Sequence, residues 1–76
     1  MNIVCVDNSV GLDKKRSRAV LSRWGFKVAK STFICPGFTI TYIEKEVLVL
    51  RRKGCNVSIV CSIFNSNGIK IDSKVL

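Results

Sequence analysis

The stretch "NIVCVD", residues 2–7, constrains the fold most. Ile3 to Val6 are apolar and mostly β-branched, and no charge appears before Asp7. A continuous apolar run of this kind predicts a central strand covered on both faces. The rest of the chain must therefore supply a layer to pack against it.

The pattern of the following residues supplies that layer. "NSVGL" turns the chain, since Asn8, Ser9 and Gly11 are loop formers. A helix is predicted from a cap at Asp13 to about Trp24, with Val20, Leu21 and Trp24 as its apolar stripe. Gly25 ends it. "FKVAKSTFIC" predicts a second strand, broken by "CPGF", with a short third strand around residues 34–38. "TYIEKEVLVLRRKG" predicts a second helix with capping-box spacing at Thr41 and Glu44. Ile40, Ile43, Val47 and Leu50 form its stripe, and Gly54 closes it. "CNVSIVCSIF" predicts a strand, "NSNG" a hairpin turn, and "IKIDSKVL" a half-exposed final strand suited to a sheet edge or to exchange with a partner subunit. The order is that of an α+β, ferredoxin-like βαββαβ sandwich with an extra C-terminal strand. Both helices would cover one sheet face, and the open face would meet a second subunit or a ligand.

At 76 residues the chain predicts one domain, 1–76, with a core small enough to make a homodimer the expected state. No apolar run is long enough to span a bilayer, and the first residues lack the basic flank and cleavage site of a signal peptide. A cytoplasmic location without membrane contact is the expectation. No histidine is present, which excludes Ser-His-Asp and Cys-His catalysis and all Cys-His zinc sites. The four cysteines, Cys5, Cys35, Cys55 and Cys61, form no CxxC pair and are read as reduced core residues. Cys55 and Cys61 are placed in one strand.

Thirteen Lys and Arg face five Asp and Glu, a formal net charge of +8. The cations gather in "DKKRSR" and "RRK", which points to phosphate and makes double-stranded DNA or RNA the expected partner. Lys14, Lys15, Arg16 and Arg18 crowd the start of the first helix, where the helix dipole favours anions. Local stability does not select that placement, whereas an external phosphate suits it. Arg23, Lys27 and Lys30 are candidate assisting residues. Arg51, Arg52 and Lys53 end the second helix, where the dipole alone accounts for them, and they receive a minor share.

These residues resemble the second universal CRISPR-associated protein family, the small partner of the CRISPR integrase. The likeness rests on Asp7 at the end of the first strand, the basic helix with Arg16 and Arg18, Gly25-Phe26, and the Val28, Ser31 and Phe33 pattern. It extends in element order over nearly the whole chain. Ala29 stands where members commonly have Gln, Ile34 where an acidic residue is usual, and an aromatic of the fourth strand is missing. The resemblance implies a homodimeric, nucleic-acid-binding scaffold of CRISPR adaptation, part of antiviral defence, that bridges integrase subunits. It also implies that Asp7 meets its copy across a two-fold axis, where the pair would hold Mg²⁺ or Mn²⁺ for endonuclease chemistry. The sequence pattern offers a plainer role for Asp7, an Asx-turn through "NS". Two other functions stay open: a metal-dependent endoribonuclease or deoxyribonuclease, including a toxin-type relative, and a small basic regulator of a mobile element without enzymatic activity.

Overall fold

The computed structural model describes residues 1–76. Five strands and two helices follow in the order β1 (Asn2–Asp7), α1 (Gly11–Trp24), β2 (Phe26–Ala29), β3 (Thr32–Pro36), α2 (Ile40–Arg52), β4 (Ile59–Phe64) and β5 (Lys70–Val75). The sheet order is β2-β3-β1-β4-β5 with every neighbouring pair antiparallel. This is the expected α+β, ferredoxin-like arrangement with β5 added at one edge. The apolar run of β1 lies at its centre.

Alternation along the strands separates two faces. Ile3, Cys5, Phe33, Cys35, Ile59 and Cys61 are buried with Val20 and Leu21 of α1 and Ile43 and Val47 of α2, forming the core. Val4, Val6, Ile34 and Val60 lie on the opposite face and are only half-buried. Coverage of β1 on both faces, as its sequence predicts, is therefore not complete within the chain.

The α1–β2 junction depends on Gly25. Its φ of −155° is ordinary extended backbone, so packing is what demands glycine there. A Cβ would sit 2.2 Å from the Ile34 carbonyl oxygen and 2.4 Å from Cys35 Sγ. Gly54 has the opposite reason. Its φ of +89° closes α2, with its N–H donating to the Arg51 carbonyl and the Cys55 N–H to the Leu50 carbonyl, as in a Schellman motif.

The structure corrects four local expectations. "FKVAKSTFIC" is a hairpin of β2 and β3 with Ala29 opposite Thr32, and the third strand is Thr32–Pro36, not 34–38. The turn between them uses no residue of positive φ, so it needs neither Gly nor Asn and leaves no sequence mark. Asp13 is not the cap of α1. Val10 holds that position without a side-chain bond, and Asp13 lies in the first turn. Thr41 and Glu44 form no capping box, because a 3-10 turn over Gly37–Thr39 brings the chain into α2 one residue earlier, at Ile40. There the Thr39 hydroxyl donates to the Pro36 carbonyl at 2.6 Å. Cys55 lies outside β4, which begins at Ile59. The "NSNG" turn forms as expected: Asn65 Oδ1 accepts from the Asn67 and Ile69 N–H groups, and Gly68 has φ +77°.

Candidate nucleic-acid interface

The topology gathers four segments at one end of the sheet: the β1–α1 loop, the β2–β3 turn, the end of α2, and the stretch entering β4. Backbone bonds stitch them together. Asp7 N–H donates to the Ser31 carbonyl and Asn8 N–H to the Ser58 carbonyl, both at 2.8 Å. Ser9 Oγ accepts from the Ser58 N–H at 2.9 Å. Asp13 Oδ2 accepts from the Asn56 N–H at 3.0 Å, which ties the first turn of α1 to the chain leaving α2.

This end carries a concentration of cations. Lys14, Lys15 and Arg16 stand on the first turns of α1, Lys30 on the β2–β3 turn, and Arg52 and Lys53 at the end of α2. Lys14, Lys15, Lys30, Arg52 and Lys53 make no salt bridge or side-chain hydrogen bond within the subunit. Arg16 is partly engaged, with Nη1 3.4 Å from both Asp13 Oδ1 and Cys55 Sγ, and its side chain remains 54% exposed. Arg51 is spent on structure, donating to the Val57 carbonyl at 2.8 Å and to the Leu76 carbonyl.

The sequence-predicted residues thus divide. Lys14, Lys15, Arg16, Arg18 and Lys30 share this end. Arg23 lies at the far end of α1, paired with Glu46. Lys27 is exposed on β2, opposite Phe33 and closer to that far end. Arg52 and Lys53 join the site although the helix dipole had accounted for them. The clue was the order of elements: in a βαββαβ sheet α1 begins and α2 ends on the same side.

Arg18 and Asp7 form the buried floor. Asp7 follows Ile3 and Cys5 on the helix-facing side of β1, and its side chain is 0% exposed. Oδ1 accepts from the Ser9 N–H at 2.9 Å, which makes the Asx-turn. Oδ2 faces Arg18 Nε at 3.8 Å, and neither atom has a hydrogen-bond partner. Arg18 Nη2 donates to Ser31 Oγ at 3.3 Å. The arrangement anchors Arg18 across the β1–α1 loop and the β2–β3 turn. Removing one member would leave the other charged and poorly solvated.

Within one chain these residues do not supply a divalent-metal site. Mg²⁺ and Mn²⁺ need several oxygen ligands. The only free carboxylate oxygen of Asp7 faces a guanidinium, and nowhere do three or more His, Cys, Asp or Glu side chains converge to hold an ion. The carboxylate also points beneath the helices.

No family model matches the chain, and no curated protein matches it.

Proposed function

We propose that the protein is a homodimeric scaffold that holds the phosphate backbone of a nucleic-acid duplex on its cationic end. The observation that carries this reading is the convergence of Lys14, Lys15, Lys30, Arg52 and Lys53, unpaired and drawn from three separate segments, beside the start of α1. Unpaired cations have no intramolecular partner to give up when they meet phosphate, and the helix N-terminus adds a favourable field. With no aromatic platform among these residues, binding reads backbone and not base. A scaffold of CRISPR adaptation that works with the integrase is the role this arrangement suits, in keeping with the sequence resemblance.

In this reading a second copy covers the open sheet face. Val4, Val6, Ile34 and Val60 form its centre, flanked by Phe26 opposite Ile34 and Val75 opposite Val60. Asn2, Thr32, Ser62 and Ser73 are its polar members, and Lys70, opposite Phe64, is the one charge, at a corner. Two chains of net charge +8 repel at most approaches, and a nearly charge-free apolar face is where they can meet.

The test incubates wild type and Asp7→Asn with labelled duplex DNA and duplex RNA, with Mn²⁺ or with EDTA, and resolves complexes and products on gels. Duplex binding by both proteins, indifferent to EDTA and without products, is the expected result. Mn²⁺-dependent products that vanish in Asp7→Asn would replace this reading with the nuclease, and absence of any complex would remove nucleic acid as the partner.

A further inference from the structure

Three of the four cysteines meet in the core beneath the helices. Cys5, Cys35 and Cys61 are each 0% exposed, and Cys5 Sγ lies 3.0 Å from Cys61 Sγ. They are not arranged as a metal site: no group of three or more His, Cys, Asp or Glu is placed to hold an ion. Their backbone positions suggest a different chemistry.

Cys5 and Cys61 are direct cross-strand partners in the β1–β4 register. The type of pair follows from the hydrogen bonds around it. Asn8 N–H donates to the Ser58 carbonyl, one step beyond the Asp7–Ile59 pair, so residues 8 and 58 are a hydrogen-bonded pair. Antiparallel ladders alternate, which makes Cys5–Cys61 a non-hydrogen-bonded pair. The opposite edge of β1 agrees. Asp7 N–H donates to the Ser31 carbonyl, so Cys5 directs its own N–H and C=O toward Phe33 on β3. Non-hydrogen-bonded partners stand about 4.5 Å apart at Cα. That falls within the span a disulfide bridges. Cys35 sits opposite Ile3, diagonal to Cys5, and lacks that register.

We propose that Cys5 and Cys61 form a cross-strand disulfide when the chain folds in the presence of a disulfide oxidant such as oxidised glutathione. A thiolate of one cysteine attacks the glutathione disulfide, giving a mixed disulfide and releasing one glutathione. The second cysteine then displaces the other glutathione. The two protein thiols lose two electrons and two protons, and one oxidised glutathione becomes two reduced ones. Either cysteine can make the first attack, and the register of the strands then brings its partner to the mixed disulfide. Burial keeps the pair from oxidant in the folded subunit, so the bond forms as β1 and β4 come together.

The experiment refolds the full chain from denaturant in a mixture of oxidised and reduced glutathione. Free thiols are then alkylated under denaturing conditions and the chain is mapped by peptide mass spectrometry. Before alkylation the expected product is about 2 Da lighter than the reduced chain. It links Cys5 to Cys61, carries alkyl groups on Cys35 and Cys55, has native circular dichroism, and unfolds at a higher urea concentration. Chain statistics alone would select the opposite pair: Cys5 and Cys61 are 56 residues apart, the widest separation available, while Cys55 and Cys61 close the smallest loop. Cys35→Ala and Cys55→Ala should each keep the link. Four alkylated cysteines, or a dominant pair other than Cys5–Cys61, would overturn the proposal.

Discussion

The two ends of α1 treat the same kind of residue differently. At its close, Arg23 pairs with Glu46, Trp24 donates to the same carboxylate, and the indole stacks on Tyr42 at 4.9 Å between ring centroids. At its start, Lys14 and Lys15 have no partner and stand against the helix dipole. The closing end is built to hold α1 on α2. The opening end gives up local stability and keeps its cations available to something outside the subunit. Within one helix, the cations that structure explains are thus separated from those it does not.

Substitutions at each end should therefore move different observables. The largest effect is expected from Lys14→Ala, Lys15→Ala, Lys30→Ala and Lys53→Ala together. Duplex affinity at 0.1 M salt should fall about a thousandfold. Thermal stability should hold or rise, as checked by anisotropy titration and a melting curve. Asp7→Asn comes next. It strips the counter-charge from Arg18 in a buried site and should cost about 3 kcal/mol of stability by urea unfolding. Replacing Arg18 by Met in the same chain should recover part of that loss. If Asp7→Asn instead left stability untouched, Asp7 would not be the anchor described here.

Trp24→Ala should lower stability by about 2–3 kcal/mol, since the indole is only partly buried. Its duplex affinity should stay within twofold of wild type in anisotropy, the reverse of the lysine set. The smallest effect is expected from Glu44→Gln. This carboxylate pairs with Lys74 at 2.7 Å, yet both side chains are well exposed. Such surface pairs contribute about 0–1 kcal/mol. A larger loss in urea unfolding would mean that β5 depends on this contact for its place at the edge.

Much of this was legible in the residues. The apolar run of β1, the stripe of Ile43 and Val47, the "NSNG" turn and Gly54 each carry a local cause, so each appeared where expected. The β2–β3 turn did not, because Lys30 and Ser31 turn without positive φ. Neither the N-cap of α1 nor that of α2 was readable. Asp13 bonds to Asn56, 43 residues away, and the 3-10 turn before α2 is held by Thr39, not Thr41. The site was half legible: α1 announced its cations, while Arg52 and Lys53 acquire a role only through topology. The contact of Cys5 with Cys61 likewise depends on strand register, which no local pattern records.

The most direct measurement is the salt dependence of duplex binding, wild type against the four-lysine variant. Log affinity plotted against log salt should fall with a slope of about −4 to −5 for wild type, and the slope should shrink to about −1 in the variant. Equal slopes in the two proteins would contradict the account, because the phosphate contacts would then lie elsewhere on the molecule.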